Sequence, residues 1–181
     1  QVATYSSMIA SEALDVRFSA DGSQVGLVGA AGERMQFERW ALNSGGLAAS
    51  VNIGGEVARI TSAVISPDFN LVAAHGEGPV QVFRTSDGAS LTQLSFSPAM
   101  PGPLAFSPDS ASLAVGYPDQ TYDYKNENNI EVYRMPEGDL GYRLGAAGGV
   151  EGNSEALLSL AFSADGQWVA AGYGNQTVQV W

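Results

Sequence analysis

The chain has 181 residues, 45% apolar and only 15% charged, and its 19 acidic side chains against 8 basic ones leave a net charge of −11. That profile excludes a disordered chain, and an acidic surface repels phosphate, so no nucleic acid is expected as partner. No run approaches the ~20 apolar residues that span a bilayer, so no membrane insertion is expected. The absence of cysteine removes disulfides, thiolate metal sites and a thiol nucleophile, and leaves the compartment undecided. With Gln1 rather than Met at its start, the chain reads as a processed form or a piece of something longer.

Val2 to Ile9 is strand-like but has no repeat of its own. After it, one short phrase recurs four times: Phe18-Ser-Ala-Asp-Gly22, Ile65-Ser-Pro-Asp-Phe69, Phe106-Ser-Pro-Asp-Ser110 and Phe162-Ser-Ala-Asp-Gly166, at spacings of 47, 41 and 56 residues. Self-similarity at this period marks a repeat architecture. Ahead of the phrase the residues alternate, as in Leu14, Val16 and Phe18 or Leu158, Leu160 and Phe162, which predicts a β-strand. The phrase itself predicts a tight turn, with Asp accepting backbone N–H groups and Gly supplying a positive φ. A second strand follows through Val25, Val72, Leu113 and Val169, with small residues between its apolar ones. A third closes on an aromatic: Phe37-Glu-Arg-Trp40, Val80-Gln-Val-Phe83, Ile130-Glu-Val-Tyr133 and Val178-Gln-Val-Trp181. More polar fourth strands are drawn through 47–53, 90–96 and 140–146, and residues 148–155 and 100–102 are loops.

Strand, Ser-Pro-Asp turn, small-residue strand and Val-x-Val-aromatic strand together resemble the blade of the WD-repeat β-propeller family. The blades are degenerate, because the aromatics are followed by Ala41, Arg84 and Arg134 rather than Asp, and no Gly-His pair precedes any first strand. The resemblance implies an all-β propeller with blades at about 13–57, 58–98, 99–148 and 155–181. It also implies that residues 2–9 serve as a closing strand against Val178 to Trp181 or the same element of a neighbouring chain. The four repeats form a small ring of their own or part of a larger one, completed by more chain or by self-association.

The resemblance favours a non-catalytic protein-interaction scaffold or a subunit of a larger complex, with another protein as partner. No catalytic constellation is legible, and no cofactor or metal is expected. His75, the single histidine, has no Gly-x-Ser-x-Gly elbow or second metal ligand for company, and reads as a hydrogen-bonded structural residue or as one in solvent at the strand's end. Asn175-Gln-Thr177 matches a glycosylation acceptor but lies against a strand. The third repeat carries an insertion that the fourth lacks. It gathers Tyr117, Asp119, Tyr122 and Tyr124, with Tyr173 at the matching place next door, and these are the candidate protein-binding residues, since tyrosines rimmed by polar groups anchor interfaces. The alternative is a propeller enzyme or a small-ligand or Ca²⁺-binding module using the central channel or the 118–129 loop.

Overall fold

The computed structural model describes residues 4, 6–9, 12–31, 34–54, 59–94, 101–117, 128–145 and 157–181, and every regular element among them is a β-strand. Four antiparallel meanders form the blades of a β-propeller. Blade one is β1 (Glu12–Phe18), β2 (Gln24–Ala31), β3 (Arg34–Ala41) and β4 (Gly46–Ile53); blade two is β5 (Ser62–Ile65), β6 (Leu71–His75), β7 (Gln81–Arg84) and β8 (Ser90–Gln93). Blade three is β9 (Leu104–Phe106), β10 (Ser112–Gly116), β11 (Asn128–Arg134) and β12 (Asp139–Gly145). Blade four has three strands, β13 (Leu157–Phe162), β14 (Val169–Tyr173) and β15 (Val178–Val180). The innermost strands pack in sequence, β1 on β5, β5 on β9 and β9 on β13. Residues 6–9 of the expected closing segment carry no strand. Instead Ser7 Oγ and Met8 N donate to the two carboxylate oxygens of buried Glu38 on β3, at 2.7 and 2.8 Å.

The recurrent phrase builds the same turn in every blade. The serine hydroxyl donates to the aspartate (Ser19 to Asp21, Ser66 to Asp68, Ser107 to Asp109, Ser163 to Asp165) and accepts the N–H five residues on, from Gln24, Leu71, Ser112 and Trp168. The aspartate Oδ1 accepts a further N–H from Ser23, Asn70, Ala111 or Gln167. The residue after the aspartate has φ near +60 to +70°: Gly22 (67°) and Gly166 (71°), but also Phe69 (63°) and Ser110 (62°). A left-handed conformation costs a non-glycine residue about 1–2 kcal/mol. Both exceptions put their side chains between blades. Phe69 meets the Phe37 ring edge-on at 6.3 Å, and Ser110 Oγ accepts the Asp68 N–H at 3.2 Å.

Three apolar layers join the blades. Met35, Phe37 and Ile53 meet Ile65, Val72 and Phe83 between blades one and two; Val80 and Val82 meet Phe106, Leu113 and Tyr133 between two and three; Ile130 and Val132 meet Leu157, Ala171 and Trp181 between three and four. The pattern is regular: the valine-type positions of a third strand face the next blade, and its closing aromatic faces the previous one. Hairpin tips add to this. Gly88, at φ 73°, approaches so closely that a Cβ would stand 2.0 Å from the Asn52 carbonyl oxygen of blade one.

Gly88→Ala should therefore lower stability by about 2–4 kcal/mol, from left-handed strain plus overpacking, as read by denaturant unfolding.

Hydrogen bonds hold the turn aspartates below the ordinary carboxylate value near 3.8. Asp21 is drawn down to about 2 by Ser19 first and then Ser23, Asp109 is lowered by Ser107 and Ala111, and Asp165 by Ser163 and Gln167. At Asp68 burial is the largest influence and opposes ionisation, but the bonds from Ser66, Asn70 and Ser110 outweigh it. A carboxylate with a depressed folded value contributes stability that is present above its unfolded value and is lost as pH falls through the folded one. The melting temperature should thus fall as pH drops from about 4 towards 2. Asp21→Asn with Asp165→Asn should flatten that dependence; an unchanged profile would remove these turns as its source.

Candidate functional site

Tyr117 follows β10 in the period-two alternation Leu113, Val115, Tyr117, which turns its ring towards blade two, where it is buried. Its hydroxyl donates to Glu131 Oε2 at 2.9 Å. Glu131 stands on β11 opposite Val115 and also accepts the Tyr133 hydroxyl, while Arg143 on β12 donates Nε to its Oε1 at 2.9 Å. This is a charge-assisted network closed on one side by protein and on the other by a half-exposed guanidinium. Burial first, with the network, pushes the Tyr117 hydroxyl far above the ordinary phenol value; burial and Glu131 push Tyr133 up to about 12. Both phenols are therefore neutral donors.

The structure does not gather the candidate tyrosines on one face. Tyr117 packs between blades two and three, whereas Tyr173, at the end of β14, is half-buried against the layer between blades three and four. Asp119, Tyr122 and Tyr124 lie outside the described residues, as does most of the 118–129 loop. Glu131 and Arg143 are not among the residues that the sequence singles out. The parity of 131 with 133, and of 117 with 113 and 115, was the available signal.

The inner strands of all four blades line a cleft of about 540 Å³, with Leu14, Asp15, Thr61, His75, Pro103 and Leu160 among its walls. Its two titratable groups are engaged in joining blades. Asp15 Oδ2 accepts the Ile65 N–H at 2.9 Å, linking blade one to two. His75 is buried, and its Nε2 donates to the Gly102 carbonyl at 2.8 Å, linking blade two to three, with Nδ1 facing the Thr61 hydroxyl at 3.4 Å. Among the described residues no group of three or more His, Cys, Asp or Glu is placed to hold a metal ion. Asn175 is bound up in its hairpin, where its Oδ1 accepts both the N–H and the hydroxyl of Thr177.

The family model for the WD domain, G-beta repeat, matches residues 148–181, which contain blade four. That match, the four-bladed geometry and the recurrent turn together support the WD-repeat β-propeller family. It is similar to the small ribosomal subunit protein RACK1 of Caenorhabditis elegans, at 28% identity over 169 residues that cover 92% of this chain and 49% of that protein. The chain thus spans about half the length of that protein.

Tyr117→Phe removes one hydrogen bond to a buried carboxylate and should cost about 1.5–3 kcal/mol of stability with no change in affinity for any captured partner. A loss of affinity at unchanged stability would return Tyr117 to a contact role.

Proposed function

We propose that this chain is a non-catalytic protein-interaction scaffold acting as a subunit of a larger assembly. The observation that carries the reading is where its reactive groups are committed. His75, Asp15, Glu131 and the four turn aspartates each hold one blade, or one blade to the next. A rigid frame whose polar residues are occupied in this way presents loops, and loops on a rigid frame are where binding residues concentrate. The similarity to RACK1, by its name a component of the small ribosomal subunit, supports the same role in a complex. For this chain a net charge of −11 favours a basic protein surface over nucleic acid as the counterpart.

Capture with a tagged chain tests this: a protein should co-purify in stoichiometric amount and release with rising salt. Recovery of the chain alone would overturn the reading. The finer proposal assigns part of the contact to the third-blade insertion. Tyr122→Ala combined with Tyr124→Ala should weaken capture by more than about 1 kcal/mol with folding unchanged. Unchanged affinity would move the contact elsewhere.

A further inference from the structure

In every blade three residues lie side by side across the first, second and third strands, on the side of the following blade. They are Val64, Ala73 and Val82 in blade two, Ala105, Ala114 and Val132 in blade three, and Ala161, Ala170 and Val180 in blade four. Blade one alone carries charge there: Arg17 and Arg39 stand on either side of Gly26. Blade two closes this face. Asp15, two residues before Arg17, accepts the Ile65 N–H, and Phe37, two before Arg39, packs with Ile65 and Phe69. Gly26 leaves room for the Phe69 ring, which a Cβ would meet at 3.2 Å. Both arginines are half-buried, and the Nε of each is out of solvent contact with no hydrogen-bond partner. Among the described residues neither forms an ion pair, whereas Arg59, Arg84 and Arg143 each find a carboxylate. The acids on the same face and in the adjoining turns are engaged, Asp15 with Ile65 and Asp21 and Asp68 within their own turns. A chain with 19 carboxylates thus holds two unpaired cations in a layer that its other blades fill with valine and alanine. Enclosing unpaired donors is costly, and packing alone gives no reason for it.

We propose that Arg17 and Arg39 form a site for a phosphate monoester, carried by a phosphoserine or phosphothreonine in a basic segment of the protein partner. Their backbones are two strand spacings apart, about 10 Å. Each guanidinium offers a planar fork of N–H donors to phosphoryl oxygens across that gap. Two such cations match the near-dianion that a phosphomonoester becomes at neutral pH, whereas a single carboxylate would satisfy only one of them. Basic flanks follow from the net charge of −11, which repels an acidic segment. The source of the phosphate rests on the scaffold reading, and the site does not: partner capture reports on the one and phosphate titration on the other.

Titrating the full chain with inorganic phosphate should shift the Arg17 and Arg39 Nε–H resonances of isotope-labelled protein in a saturable way. A lysine-flanked phosphoserine peptide should bind at least about tenfold more tightly than its unphosphorylated form. Arg17→Ala with Arg39→Val gives blade one the row of the other blades, and should abolish that preference while the melting temperature holds or rises. Should the double variant fail to fold, Arg39→Met keeps the stem, drops the charge and should weaken the preference several-fold. Arg34→Ala, at the exposed start of β3, should leave it unchanged. No saturable shift in the wild-type chain overturns the proposal and makes the arginines structural. A phosphate response that survives the double variant overturns it too, as the mark of an adventitious ion only. Shifts with phosphate but no preference for the phosphopeptide overturn the protein source.

Discussion

Every blade of this protein is a sheet with two apolar faces, and three or four short strands cannot cover either of them alone. Burial between consecutive blades is the constraint from which the rest follows. At about 25 cal/mol per Å² of apolar surface removed from water, the layers around Phe37, Tyr133 and Ile130 outweigh any single hydrogen bond in the molecule. The polar links are arranged in their service. Asp15 reaching Ile65, His75 reaching Gly102 and Ser110 reaching Asp68 each fix how far one blade can slide or splay against its neighbour. Such bonds add orientation to an attraction that has no direction of its own.

The part of each repeat that recurs most closely is accordingly the turn that sets the spacing between first and second strands. Serine and aspartate close a small hydrogen-bonded ring, and the backbone follows it even where the residue at positive φ is not glycine. The strain accepted at Phe69 and Ser110 places a ring and a hydroxyl into the layer between blades, contacts that Gly22 and Gly166 cannot make.

Most of the fold was legible because it is written four times. Period-two flanks placed the strands, and the fourth strands drawn through 47–53, 90–96 and 140–146 are β4, β8 and β12, with β8 ending at Gln93. Sideways relations were harder to read. Locally Glu131 offers only its parity with Tyr133; nothing there announces that Tyr117 and Arg143 converge on it as well, since they are 14 and 12 residues away. For His75 the sequence leaves a structural place and a solvent-exposed strand end both open, because the partner that decides between them, Gly102, lies 27 residues on, beyond the next blade boundary. Periodicity reports which face a side chain takes. It does not report what the neighbouring blade presents to that face.

Blades two and three are covered on both sides, while blades one and four each have one apolar face in water. In a linear array of repeats, stability is nearly a sum of unit and nearest-neighbour terms, so a unit with one neighbour opens more readily than a unit with two. Amide protons of β6 and β10 should then outlast those of β2 and β14 in deuterated solvent by the worth of one interface. Joining the ends into a circle gives every unit two neighbours and erases that gradient. The exchange pattern along the chain is therefore a record of whether the array has ends.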